Sequence, residues 1–247
     1  MPRLDSTNME SVVLPGRGGY VFSSVRPDDL GATEYTLATI LVDTSSSVQI
    51  FEKELLDTLK AAVGACKKSP RAENLLVRLV SFSSDIREIH GFLPLSSIDM
   101  NNYSLGVVGG MTKLIDATQT GVEATLTFAK ALVDLDFDVN GIVFVITDGQ
   151  DNSSIYSVGD VRRTIAAAMK NEEMESIRTV LVGVNDVACK DYLEHFKRET
   201  GIDQVISVGN VTEGSLAKLA RFVSQSISSQ SQSLGSGSPS GSGGITF

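Results

Sequence analysis

The chain has 247 residues, of which 42% are hydrophobic and 21% are charged, so it is long and apolar enough to bury a core. Its formal net charge is −9 and its sequence pI is about 4.8. Because an acidic surface repels phosphate backbones and anionic lipids, we expect neither nucleic acid nor a membrane among its partners.

The two cysteines, Cys66 and Cys189, each fall on the apolar side of a helical pattern. Two cysteines are too few for a disulfide framework, so we expect two reduced core thiols. The first five residues lack the apolar segment of a signal peptide, and no apolar run approaches the ~18 residues of a membrane span. These features predict a cytoplasmic protein.

Residues 1–33 have a mixed composition with turn signals, which predicts an N-terminal arm containing one short strand at residues 20–22. From residue 34 onward, apolar β-branched runs alternate with helical patterns. The predicted elements are a strand at 37–42, a helix with apolar positions between 48 and 66, strands at 75–82 and 86–95, a helix with apolar positions between 115 and 133, a strand at 142–146, a helix at 160–172, a strand at 180–184, a helix at 188–200, a strand at 205–208 and a helix at 214–228.

This alternation predicts a doubly wound α/β domain over residues 34–228, with a mostly parallel sheet and helices on both faces. The short link at 83–85 predicts a hairpin, which would place one antiparallel strand at the sheet edge. Residues 229–247 consist mainly of Ser, Gln and Gly, which predicts a disordered tail. Two interpretations of its last residues, Ile245, Thr246 and Phe247, remain open: a docking peptide or a frayed terminus.

Side chains that carry oxygen atoms follow two of the predicted buried strands and precede one predicted helix. Asp43, Ser45 and Ser47 follow the first strand, Asp148 follows the strand at 142–146, and Thr112 precedes a helix after two glycines. Ligands of open parallel sheets bind beyond the carboxyl ends of the strands, so one site could collect all five residues. Each group alone also has a structural explanation as a helix cap or a turn.

Together, the pattern Asp-x-Ser-x-Ser at 43–47, the Thr at 112 and Thr-Asp-Gly at 147–149 resemble the von Willebrand factor A (vWA) family and its metal-ion-dependent adhesion site (MIDAS). The resemblance covers roughly residues 34–228 and implies a Rossmann-like fold. It implies that Ser45, Ser47 and Thr112 bind a divalent cation directly, whereas Asp43 and Asp148 hold it largely through water or by orienting the hydroxyls. Mg²⁺ is the expected ion, with Mn²⁺ or Ca²⁺ as alternatives.

Mostly neutral hydroxyl ligands leave a cation under-neutralised, and in this family a partner's Asp or Glu commonly supplies the missing oxygen. The resemblance therefore implies a metal-dependent protein–protein interaction module, in an intracellular assembly that often includes an AAA+ ATPase. Two alternatives remain: an assembly subunit with a non-essential metal site, and a Mg²⁺-dependent phosphoryl-transfer enzyme.

Motifs typical of catalysis are missing from the sequence. His90 and His195 are its only histidines, and neither follows a strand near the acidic residues. The sequence contains no Ser nucleophile elbow, no phosphate-binding loop of the Gly-Lys type and no Cys/His cluster for zinc. We therefore expect no enzymatic activity.

The sequence also makes predictions about residues around the five candidate metal ligands. We expect Lys113 to be a solvated residue at a helix start, and residues 150–152 to line the rim of the site. Tyr103 and the two asparagines before it are expected to border the groove that receives a partner.

Overall fold

The computed structural model describes residues 9–106, 108–168 and 174–234. In these residues the strands are β1 Met9–Val13, β2 Val21–Val25, β3 Glu34–Asp43, β4 Leu75–Phe82, β5 Ile86–Pro94, β6 Asp138–Thr147, β7 Ser176–Gly183 and β8 Gln204–Ser207. The α-helices are α1 Glu52–Cys66, α2 Leu114–Val133, α3 Val158–Ala168, α4 Lys190–Thr200 and α5 Glu213–Ser233. The strands form one sheet in the order β1-β2-β5-β4-β3-β6-β7-β8.

The centre of the sheet is parallel and buried on both faces. β3 pairs in parallel with β4 and β6, and the parallel pairing continues to β7 and β8. α1 and α5 pack on one face of the sheet, whereas α2, α3 and α4 pack on the other. The predicted doubly wound, mostly parallel α/β fold with helices on both faces is therefore confirmed.

The antiparallel strand β5 pairs with β4, as predicted from the short link between them. It is not the outermost strand, because the predicted N-terminal arm contains the antiparallel hairpin of β1 and β2, and β2 lies beside β5. Gly91 of β5 lies at this contact. A Cβ atom on Gly91 would lie 2.0 Å from the carbonyl oxygen of Ser23, so only glycine permits this approach of the two backbones.

A buried ion pair ties the hairpin to the rest of the sheet. The Arg78 side chain on β4 is only 3% exposed, and its Nε lies 2.7 Å from Glu88 Oε2 on β5. The other oxygen of Glu88 accepts a 2.9 Å hydrogen bond from the backbone N–H of Ser23 on β2. The Arg78 guanidinium also lies 5.9 Å from the ring centre of Phe22 and 6.0 Å from that of Phe92. The N-terminal segment is thus an integral part of the fold.

The polar end of α5 corrects one predicted boundary. A tail was predicted from residue 229, but the helix continues to Ser233, and Gln230 and Ser231 are buried. The backbone carbonyl of Gln230 accepts a 2.6 Å hydrogen bond from Asn140, and the hydroxyl of Ser231 accepts one of 3.1 Å from Arg71. Hydrogen bonds between polar groups therefore order a segment whose composition predicts disorder.

The remaining predictions about the tail, including those on Ile245, Thr246 and Phe247, lie outside the described residues. So does the end of the helix predicted at 160–172, beyond Ala168. In the parts of the chain that the structure describes, every helix is too short or too polar to cross a membrane.

Candidate metal centre

The candidate metal site lies where the carboxyl ends of β3 and β6 meet. Asp43 is the last residue of β3, and Thr147 is the last residue of the neighbouring β6. The hydroxyl of Thr147 donates a 2.6 Å hydrogen bond to Asp43 Oδ2, and the backbone N–H of Ser45 donates one of 2.8 Å to Asp43 Oδ1. Both oxygens of this carboxylate are therefore fixed in orientation.

The predicted site residues after β3 contact the predicted residue after β6. A short 3₁₀ turn, Ser46–Ile50, leads from the end of β3 toward α1. In that region the hydroxyl of Ser47 donates a 2.8 Å hydrogen bond to Asp148 Oδ1, and the hydroxyl oxygens of Ser45 and Ser47 are 3.2 Å apart. Ser45, Ser47 and Asp148 thus form a connected series of three oxygen atoms, and the backbone N–H of Ser45 links this series to Asp43.

The fifth predicted residue, Thr112, lies two residues before α2 and is 5% exposed. Its backbone N–H donates a 2.8 Å hydrogen bond to the Asn152 side chain, and its carbonyl accepts one of 3.0 Å from the Asn152 backbone. A Cβ atom on Gly149 would stand 4.0 Å from the hydroxyl oxygen of Thr112. Thr112 therefore borders the turn that contains Asp148, and the structure brings all five predicted residues together.

The two carboxylates of the site are buried without a positive charge beside them. Asp43 is 1% exposed and Asp148 is 9% exposed. Burial raises the pKa of Asp43 to about 6, although hydrogen bonds from Thr147 and Ser45 act in the opposite direction. Burial also raises the pKa of Asp148. Among the described residues, no ion pair includes either aspartate.

The chemistry and spacing of these atoms fit a hard divalent cation. The side-chain donors are all oxygens, which Mg²⁺ prefers, and adjacent oxygens of a Mg²⁺ octahedron lie about 2.9 Å apart. The oxygen pairs Ser45–Ser47 and Ser47–Asp148 have separations of 3.2 and 2.8 Å. Residues 9–106, 108–168 and 174–234 contain no cluster of three or more His, Cys, Asp or Glu side chains suited to a metal. Any fit to a cation in this part of the chain therefore depends on the hydroxyl groups.

The start of α2 is held by a buried carboxylate whose role the sequence pattern does not reveal. Asp116 is fully buried, and its Oδ1 accepts hydrogen bonds of 2.9 Å from the backbone N–H groups of both Ile155 and Tyr156. Its Oδ2 accepts a 2.9 Å hydrogen bond from the phenol of Tyr20 in the N-terminal segment. These bonds fix the loop that contains Asn152, which in turn pairs with Thr112. An acidic residue in the first turn of a predicted helix was the only sequence signal for this role.

The structure corrects two predictions about neighbouring residues, one in part and one in full. Lys113 lies directly before α2, as predicted, but it is less solvated than expected, because its side chain is 21% exposed and its Nζ lies 3.9 Å from Asp116 Oδ2. Tyr103 does not border a groove, because it is 6% exposed and stacks on His90, with 2.9 Å between its hydroxyl oxygen and His90 Nε2. Gln150 and Asn152 are exposed next to Asp148, as a rim requires.

The cysteines are free and buried, as predicted. Cys189 lies close to the site, and its thiol donates a 3.3 Å hydrogen bond to the backbone carbonyl of Asp148. Burial raises the pKa of Cys189 to about 11 and that of Cys66 to about 12. Both thiols therefore remain protonated at neutral pH and serve as packing groups.

Residues 39–228 match the family described as von Willebrand factor type A domain. No curated protein matches the chain. Solved structures of similar fold include proximal thread matrix protein 1 from the mussel byssus (TM-score 0.56, 18% identity), the PilB minor pilin from Streptococcus sanguinis (0.56, 15%) and the pilus adhesin SpaC from Lactobacillus rhamnosus GG (0.56, 12%). The matches cover 77%, 87% and 91% of this chain, but only 47%, 66% and 32% of those chains, respectively. A further structure of the mussel protein has a zinc-occupied MIDAS motif. Its TM-score is 0.52 and its identity is 16%, and the match covers 48% of that chain.

Proposed function

The chain belongs to the von Willebrand factor type A family, and on that premise we propose that it binds a protein partner through a divalent cation. Domains of this family are commonly interaction or adhesion modules and are usually not enzymes. The residues proposed to hold the cation are Asp43, Ser45, Ser47, Thr112 and Asp148.

One observation carries the proposal: the oxygens of Ser45, Ser47 and Asp148 lie at ligand-like spacing, and the backbone N–H of Ser45 links them to the buried carboxylate of Asp43. Among the described residues, neither aspartate has an ion pair. A buried carboxylate without a compensating charge is unfavourable. A bound cation would remove that penalty for both Asp43 and Asp148. The oxygen donors favour Mg²⁺, with Mn²⁺ or Ca²⁺ as alternatives.

The exposure of the Ser45 and Ser47 hydroxyls supports a cation whose coordination shell the chain itself does not complete. Ser45 is buried, whereas Ser47 is exposed, so the series of oxygens runs from the interior to the surface. A bound cation would supply positive charge at that surface, where an Asp or Glu side chain of a partner could reach it. We propose such a carboxylate as the partner's contribution, since mostly neutral hydroxyl ligands leave the cation under-neutralised.

Calorimetric titration of Mg²⁺ and Mn²⁺ into the EDTA-stripped chain tests the metal site. We expect binding at one site that weakens at least about tenfold in Ser47→Ala, because both of its oxygen contacts disappear. Thr44→Val is the matched control. Its hydroxyl points away from the site to the carbonyl of Phe82, which still accepts a 2.8 Å hydrogen bond from the Thr44 backbone. No binding by the unmodified chain at millimolar metal would overturn the proposal.

The partner is tested by affinity purification of the chain and of Asp43→Ala, each with Mg²⁺ and with EDTA, followed by mass spectrometry. A metal-dependent partner is lost in both the variant and the EDTA sample. If the same proteins are recovered in all four samples, the chain is an assembly subunit whose metal site is not essential. Mg²⁺-dependent hydrolysis of phosphate esters that disappears in Asp43→Ala would instead indicate an enzyme.

A further inference from the structure

A groove lies beside the candidate metal site, between the first halves of α1 and α5. The two helices pack next to each other on one face of the sheet, and both begin at the carboxyl ends of strands. The groove between them has a volume of about 790 Å³. This volume is within the range of about 300–1,000 Å³ that is typical of ligand sites.

The floor of the groove is apolar, and its rim carries an exposed aliphatic side chain. Phe51 and Leu216 line it and are 4% and 5% exposed. Ile50 also lines it and is 81% exposed, more than any other large hydrophobic residue among those described. A single exposed Ile is common on protein surfaces. One that stands beside a concave apolar floor can bury its side chain only against another molecule.

The walls of the groove carry negative charge only. Glu54, Asp57 and Glu213 are exposed lining residues, and no Lys or Arg is among the described residues that line the groove. None of these three carboxylates has an ion pair with another described residue. The electrostatic field in the groove therefore attracts positive charge.

We propose that this groove binds a short segment of a partner protein that carries an aliphatic side chain and at least one Lys or Arg. The aliphatic group packs on Phe51, Leu216 and Ile50, and the cation pairs with the acidic walls. This charge complementarity distinguishes the occupant from an acidic or purely apolar segment.

The groove and the metal site share no residues, so the groove proposal holds whether or not a metal binds. They are nevertheless adjacent, because Ser47 and Ile50 belong to the same turn, Ser46–Ile50. A single partner could therefore place a carboxylate at the metal site and a basic, aliphatic segment in the groove. Only this extension rests on the proposed function.

The probe for the groove is a synthetic peptide of about ten residues, built from Leu and Lys and long enough to span the first three turns of α1. Its matched counterpart has every Lys replaced by Glu. Each peptide is titrated into the ¹⁵N-labelled chain in EDTA, so that the metal site cannot contribute, and amide chemical shifts are recorded. We expect the Lys peptide alone to bind, with shift changes concentrated at the first turns of α1 and α5.

Two double variants separate the groove from the general acidity of the chain. Glu54→Gln with Asp57→Asn removes two charges from the groove, and we expect about three- to tenfold weaker binding of the Lys peptide. Asp191→Asn with Glu199→Gln removes two exposed charges from α4 on the opposite face of the sheet, and we expect unchanged binding. Ile50→Ser should weaken binding at least about fivefold through lost apolar burial.

Equal weakening by the two double variants would overturn the proposal, because general charge attraction alone would then explain binding. Equal binding of the Glu peptide, or shift changes outside the groove, would overturn it as well. The substituted side chains are all exposed, so the amide spectra of the variants should otherwise match that of the unmodified chain.

Discussion

The phenol of Tyr20 donates a 2.9 Å hydrogen bond to the fully buried carboxylate of Asp116, which lies 96 residues further along the chain. This bond joins the N-terminal segment to the start of α2, next to the candidate metal-site residue Thr112. Burial and the neighbouring carboxylate together raise the pKa of Tyr20, so its hydroxyl keeps its proton and remains the donor.

Replacing this donor should destabilise the fold. Among the described residues, Tyr20→Phe leaves Asp116 Oδ2 with the Lys113 amine, 3.9 Å away, as its remaining polar partner. We therefore expect the free energy of unfolding to fall by about 1–3 kcal/mol. Urea denaturation of Tyr20→Phe, Asp116→Asn and the double variant measures the coupling between the two side chains. A coupling energy of zero would mean that the two groups do not interact in solution.

Acidification should destabilise the chain through His90. Burial lowers the pKa of this imidazole, opposed by a hydrogen bond to the Gly91 carbonyl and by the charge of Glu88, while the nearby Arg78 lowers it further. The unfolded chain therefore takes up the proton first, so the neutral ring contributes stability above the unfolded pKa of about 6.5 that is lost as the pH falls.

In the variant His90→Gln this loss is absent. We compare the free energies of unfolding of the unmodified chain and the variant between pH 7 and pH 5. Below pH about 6.5, the value for the unmodified chain should fall relative to that of the variant by up to about 1.4 kcal/mol per pH unit. Urea denaturation at several pH values gives this difference, in which the contributions of all other groups cancel. Parallel pH profiles for the two proteins would contradict the prediction.

The cysteines should not react in the folded chain. Cys66 is 1% exposed and Cys189 is 6% exposed, and burial raises the pKa of both thiols. At pH 8 we expect an aromatic disulfide reagent to modify neither thiol in native protein and both in denaturant. Rapid modification of one thiol in the native protein would show that its surroundings open readily.

Gly201, the residue directly after α4, should lose stability when it is replaced by a residue with a side chain. Gly201 has a φ of +80°, although no atom within 4 Å would obstruct a Cβ there. Gly201→Ala should therefore destabilise the fold by about 1–2 kcal/mol through backbone strain alone. Gly214, in the first turn of α5, has equal space and no positive φ. Gly214→Ala is the matched control, and thermal denaturation should show no loss of stability.

Apolar patterning predicted the buried strands and helices but not their polar ends. The strand predicted at 142–146 begins at Asp138 and includes the buried Asn140, which bonds to Thr36 on the neighbouring strand and to the carbonyl of Gln230 on α5. Each of these polar residues is ordered by a partner far away in sequence. A local pattern cannot contain that information.

The same limit applies to the candidate site. Asp43 and Asp148 could be found because they follow buried strands whose carboxyl ends meet at one edge of the sheet. Asp116 could not, because its importance arises from a bond to Tyr20 that only the folded chain forms. Asn152 was predicted only as a rim residue, and its bond to Thr112 likewise appears only in the folded chain. The sequence thus predicted the candidate ligand residues better than the residues that hold them in place.

The position of the N-terminal hairpin has a consequence for how the chain is made. β1 and β2 leave the ribosome before β5, the strand beside which β2 is placed in the finished sheet. At about 5–20 residues per second, several seconds separate Val25 from Phe92. An isolated two-stranded hairpin is only marginally stable in water. Until translation reaches β5, the nascent chain therefore carries an unpaired strand edge, at which it is open to chaperones and to mispairing with neighbouring nascent chains.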